Sequence, residues 1–97
     1  MSKLDKFKEK LRKEKSVLGK RYHVRKLGIF GSFVRNQQTQ KSDLDILVDF
    51  SIVPGLFGFM ELEAHLSRIL GVRVDLVMKK SLKPAIGRHI LSEVEYL

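Results

Sequence analysis

The sequence predicts an α/β fold of the α+β type, a small mixed β-sheet with helices packed on one face. Three observations lead there. Apolar spacing switches repeatedly between the helical and the strand period, in the order helix, strand, short helix, strand, helix, strand, helix. The long connection 51–71 leaves room for a helical crossover, which makes the strands it joins parallel. The short polar loop 37–42 makes the strands it joins antiparallel.

The elements follow in chain order. Residues 3–18 carry Leu4, Phe7, Leu11 and Leu18 on one helical stripe, with lysines and glutamates opposite; Ser2 is placed to cap the start and Gly19 to stop the end. Residues 22–30 read as a strand that becomes apolar at Leu27, Ile29 and Phe30. Ser32 to Asn36 can form a short helix before the polar loop. Residues 44–50, LDILVDF, give the clearest strand. Pro54 and Gly55 break the chain, and 56–70 read as a helix with Leu56, Phe59, Met60, Leu66, Ile69 and Leu70 inward and Gly71 as its cap. Residues 72–78 form a third strand with Val72, Val74 and Leu76 on one face. Pro84 opens a last helix whose stripe is Ile86, Ile90, Leu91 and Val94.

A chain of 97 residues is expected to be a single domain over 1–97. Its 43% hydrophobic content excludes disorder. The absence of cysteine removes disulfides, thiolate nucleophiles and cysteine-held metal centres. No apolar run is long enough for a membrane span, and the charged N-terminus lacks an apolar signal core, so a cytoplasmic location is expected. Charge is unevenly spread. Residues 1–26 hold 11 Lys/Arg against 3 Asp/Glu, whereas 27–97 hold 8 of each sign. A basic arm of this kind suits nucleic acid, an acidic partner or plain solubility.

Three features carry possible chemistry. Gly31-Ser32 ends a strand just before a helical turn, where backbone can approach a phosphate; alone, it is also an ordinary turn. Asp43 and Asp45 open the strongest strand two residues apart, on one face, where their mutual repulsion invites a hard cation. Taken alone, they are also solvated acids at a strand start. Asp75 interrupts an apolar strand on the face opposite Val74 and Leu76, either as a site residue or paired with Arg73 or a lysine.

Together the three form a specific pattern. The stretch GSFVRNQQTQKSDLDILV, with the VDLV strand and the closing KPAIGRHILSEVEYL, resembles the minimal nucleotidyltransferases of the DNA polymerase beta-like superfamily over residues 24–97. The resemblance implies that Asp43 and Asp45 hold two Mg²⁺ ions, that Asp75 completes the metal site and accepts the proton of the attacking hydroxyl, and that Gly31 and Ser32 hold the β- and γ-phosphates of ATP or another nucleoside triphosphate. Arg35 would add a charge-assisted phosphate contact. The implied reaction moves a nucleoside monophosphate to a hydroxyl and releases pyrophosphate. Minimal members also resemble antitoxins paired with a helical partner of the HEPN ribonuclease class, on which a tyrosine can receive AMP. Two alternatives remain: a non-catalytic antitoxin or adaptor of the same fold, and a basic nucleic-acid-binding protein using residues 3–26.

The pattern departs from the family at Phe33, Val34 and Asn36, where small residues and a glycine are common. Asn36 tolerates the left-handed turn that a glycine would make, and Phe33 suits core packing. His23, His65 and His89 lack ligand spacing. Asp49, about 13 Å along the strand from Asp45, reads as solvated or paired with a lysine. Met60 and Met78 read as packing residues, and Tyr22 and Tyr96 as structural.

Overall fold

The Ser2 hydroxyl accepts the Asp5 N–H at 3.1 Å, and the Asp5 carboxylate accepts the Ser2 N–H, so the first helix opens on a closed capping box. In the computed structural model, which describes residues 1–97, this helix, α1, runs Lys3–Tyr22. It passes through the expected stop at Gly19 because Tyr22 extends the buried stripe of Phe7, Leu11 and Leu18 by one more turn. His23 ends it instead, in the left-handed conformation at φ 60, with its N–H on the Leu18 carbonyl.

Strand β1 is Val24–Phe30, β2 is Leu44–Phe50, β3 is Val74–Met78 and β4 is Glu95–Tyr96. The sheet order is β3-β2-β1-β4. β1 and β2 pair antiparallel and β2 and β3 parallel, as the two connection lengths predict. The two-residue β4 is too short for any periodicity to announce it; it pairs antiparallel with β1, and the Leu97 N–H adds a bond to the Leu27 carbonyl.

Helix α2, Leu56–Leu70, crosses from β2 to β3, and α3, Pro84–Glu93, follows β3 after one 3₁₀ turn at Lys79–Ser81. α1 and α2 cover one face, burying Leu27, Ile29, Leu44, Ile46, Val48, Phe50, Val74 and Leu76 in one cluster. The expectation of helices on one face holds for these two. α3 lies against the other face, where the apolar side chains Phe30 and Leu47 need cover and receive Ile90.

The inward stripes of two helices also differ in phase from expectation. α2 buries Leu62, Leu66 and Leu70 at a strict four-residue spacing, and leaves Leu56 and Met60 exposed. α3 buries Ile90 and exposes Ile86 and Leu91. α2 also seals the outer edge of β3: the Val74 N–H donates to Ser67 Oγ at 3.1 Å and the Leu76 N–H to Glu63 Oε2 at 2.9 Å. No helix is long and apolar enough to cross a membrane.

Candidate active site

Period-two alternation decides which acids share a face. On β2 and β3 the even positions Leu44, Ile46, Val74 and Leu76 are buried under α1 and α2, so Asp45 and Asp75 project from the opposite face. The parallel register sets Asp45 directly beside Asp75. Their carboxyls lie within hydrogen-bonding reach when one carries a proton. Asp43, just before β2, acts on Asp45 through its charge. The Asp45 carboxyl is pushed up to about 6 by burial first, then by the charges of Asp75 and Asp43, while Arg35 pulls the other way. A proton relieves this crowding, and so does a divalent cation; three hard oxygen donors suit Mg²⁺. The three carboxylates are not gathered into a closed metal shell.

The Gly31 turn sits against this cluster. Gly31 has φ 84, and a Cβ there would stand 2.0 Å from Asp45 Oδ2. Glycine is therefore required twice over, by conformation and by the space that the carboxylate fills. The next residues make one helical turn: the Val34 and Arg35 N–H groups bond the Gly31 carbonyl and the Gln37 N–H bonds the Ser32 carbonyl. Asn36 closes it at φ 57, the left-handed geometry expected of it. The N–H groups of Ser32 and Phe33 take no partner within the chain. Phe33 is buried edge-on against Phe7, at 5.5 Å between ring centres, as expected of a packing residue.

Sequence reasoning missed Glu93. From the last turn of α3 its carboxylate accepts the Gly31 N–H at 2.7 Å and both of its oxygens accept Arg35 Nη1 at 3.0 Å. Burial alone would raise the Glu93 carboxyl; the Gly31 N–H and the Arg35 guanidinium outweigh it and hold it below the usual carboxylate range. Arg35 is thus paired rather than free, with Nε on Gln37 Oε1 at 3.1 Å. One hint was available in the sequence: an acid at a helix C-terminus opposes the helix dipole and needs a reason from elsewhere in the fold.

Asp49 corrects a second expectation. It is 6% exposed and pairs with an arginine, Arg25, whose Nη2 and Nε donate to Oδ2 at 2.7 and 3.1 Å. That pairing lowers its carboxyl against the opposing effect of burial. A bulge between Val24 and Lys26 sits at Arg25 in the β1–β2 ladder. Met60, expected to pack, is 53% exposed. His23 and His89 are exposed, and Nδ1 of His65 meets Arg68.

Comparison with known proteins fixes the family. Residues 4–97 match the nucleotidyltransferase domain. The chain belongs to that family. This nucleotidyltransferase is 52% identical over 83 residues to the protein adenylyltransferase MntA of Thermococcus cleftensis, covering 86% of this chain and 84% of that protein. Among solved structures, one named as a minimal nucleotidyltransferase matches with a TM-score of 0.74 at 34% identity, over 92% of this chain and 94% of that one. A mutant of the toxin–antitoxin pair MntA-HpeT matches with a TM-score of 0.70 at 26% identity, over 89% of this chain and 69% of that one. The activity class, nucleotidyl transfer, follows from the family and from the adenylyltransferase relatives. The minimal nucleotidyltransferase fold is the one expected from the resemblance.

Proposed function

We propose that this nucleotidyltransferase moves AMP from ATP to a hydroxyl on a partner protein, a helical HEPN-class toxin, and acts as its antitoxin. The observation that carries this reading is the Asp45–Asp75 pair, side by side on parallel strands and packed against the glycine turn. The relative MntA of Thermococcus cleftensis, a protein adenylyltransferase, supports AMP and a protein acceptor. The MntA-HpeT structure supports a toxin partner.

The residue roles in this reading are these. Asp43, Asp45 and Asp75 would hold two Mg²⁺ ions. The metal, when bound, supplies positive charge to the attacking and leaving oxygens of an in-line displacement. Ser32, through its hydroxyl and N–H, and the Phe33 N–H hold the β- and γ-phosphates. Gly31 supplies room and turn geometry rather than a donor, since its N–H is already given to Glu93. Asp75 takes the proton from the acceptor hydroxyl as that oxygen bonds to the α-phosphorus. The bond from the α-phosphorus to the bridging oxygen breaks and pyrophosphate leaves.

Incubation with α-labelled ATP, Mg²⁺ and the protein encoded beside this gene tests the reading. Label is expected on the partner from wild type and lost by at least about a hundredfold in Asp45→Asn, because an uncompensated loss of charge stabilisation costs a few kcal/mol. Partner binding without label in wild type would favour the non-catalytic antitoxin instead.

A second reading rests on the basic helix. Lys3, Lys6, Lys10 and Lys13 form one stripe of α1 along a groove of about 880 Å³ that runs to Ser42, beside the catalytic edge. The groove suits a polyanion such as RNA, held by salt-dependent contacts. Its aromatic members, Phe7 and Phe33, are buried and unable to stack on bases. Random-sequence RNA should shift with the full chain at low salt and not with a Lys3, Lys6, Lys10, Lys13→Ala variant.

A further inference from the structure

Glu93 lies outside every role assigned above, yet it holds two parts of the nucleotide site at once. It takes the Gly31 N–H at 2.7 Å and bridges to Arg35 Nη1 with both oxygens at 3.0 Å. Its side chain is 13% exposed. The backbone on each side is anchored. Ile90, one turn earlier, is buried against Phe30 and Leu47. Two residues later, Glu95 begins β4, paired with Ile29 of β1. This anchoring holds the base of the side chain beside the Gly31 turn, the placement of a brace rather than of a plug that substrate displaces.

We infer that Glu93 is the positioning residue of the triphosphate cradle. By fixing the Gly31 turn it aims the N–H groups of Ser32 and Phe33 at the phosphates, and by gripping one end of the Arg35 fork it presents the other. This rests on the nucleotidyl-transfer reading and adds to it a residue from the far end of the chain. The brace has a second effect. Arg35 already feels Asp45 through its charge. Without Glu93 the guanidinium is drawn toward the carboxylates and competes for the place of the cation.

The experiment uses the full chain, the ATP analogue AMP-PNP with Mg²⁺ and no acceptor protein, and calorimetry at a temperature where circular dichroism finds every variant folded. Glu93→Gln keeps an acceptor for Gly31 but loses the charge for Arg35; Glu93→Ala loses both. Affinity should fall in the order wild type, Gln, Ala, with Ala weaker by about tenfold or more, since it loses the hydrogen bonds to a charged group at both the turn and the guanidinium. Leu18→Val serves as control. It loosens the core under the C-terminal end of α1, well along the helix from Phe7, the residue that meets the turn at Phe33, so it should lower Tm and leave affinity unchanged. The Gly31 amide proton in the NMR spectrum of the nucleotide-free protein should move upfield in Glu93→Ala and much less in Glu93→Gln.

A merely structural Glu93 would lower Tm and leave affinity at the wild-type value, and that overturns the inference. A plug would make both variants bind more tightly, which also overturns it. If wild type itself takes up no AMP-PNP, the nucleotidyl-transfer reading falls and the inference falls with it. That outcome is distinct from a wild type that binds beside variants that bind equally well.

Discussion

Gly31 admits no substitute. An alanine there would adopt φ 84 against its preference and drive its methyl into the Asp45 carboxylate, 2.0 Å from Oδ2. Gly31→Ala should lose about 2–3 kcal/mol of stability, the combined cost of left-handed strain and overpacking, and should abolish label transfer. Denaturant titration and the transfer assay measure the two effects. Asp45 has a different signature. Its carboxyl, raised from 3.8 to about 6, binds a proton more tightly in the fold than in the unfolded chain. The folded state therefore holds more protons between about pH 4 and 6, and this group's contribution to stability falls as pH rises through that window. Asp45→Asn should remove that slope and raise Tm at pH 7.5 more than at pH 4, in the absence of metal. A Tm difference equal at both pH values would show that Asp45 titrates normally. That Asp45 and Asp75 share a face was legible because period-two alternation places both from the chain alone. Glu93 was not, since its partners Gly31 and Arg35 lie 62 and 58 positions away. Nor was the burial of Asp49, whose pairing depends on a bulge at Arg25.

At the scale of elements, the types of structure were readable and their phases were not. The order of helices and strands, and the parallel and antiparallel pairings, follow from connection lengths and apolar spacing. The rotation of α2 about its axis follows from which residues meet the sheet. Leu62, Leu66 and Leu70 win that contact, and Leu56 and Met60 turn outward. Where α1 ends was also decided by packing, since the burial of Tyr22 outweighs the breaking tendency of Gly19. The helix accordingly closes on a non-glycine residue in left-handed geometry. His23→Gly should relieve that geometry and stabilise the protein by about 0.5–1 kcal/mol, the strain relieved less the added freedom of the unfolded chain. A lower midpoint in urea would count against this account of the cap.

For the whole molecule, the two ends of the chain hold each other. Lys8 pairs with Glu95, and Lys15 Nζ donates to the Leu97 carbonyl at 2.7 Å. Part of the basic charge of the N-terminal helix is therefore spent on ties to the C-terminus rather than left for a polyanion. Deleting residues 95–97 removes β4, these ties and the packing of Leu97. It should cost about 2 kcal/mol, roughly half from the partly buried Leu97 side chain and the rest from the lost β4 hydrogen bonds. Because β4 begins two residues after Glu93, the deletion should also weaken AMP-PNP binding in a chain that still folds. Calorimetry beside thermal melts reads both.

The Glu63 and Ser67 bonds to β3 govern how this molecule meets copies of itself. Both amides they occupy lie on the sheet's open margin, the place where a foreign strand would otherwise dock and template fibril growth. With those donors taken, association by strand addition finds no foothold at β3, and the short β4 is the sheet's other edge. A chain with Glu63→Ala would lose half of that guard, and in quiescent solution it should form thioflavin-positive aggregates faster than the parent sequence.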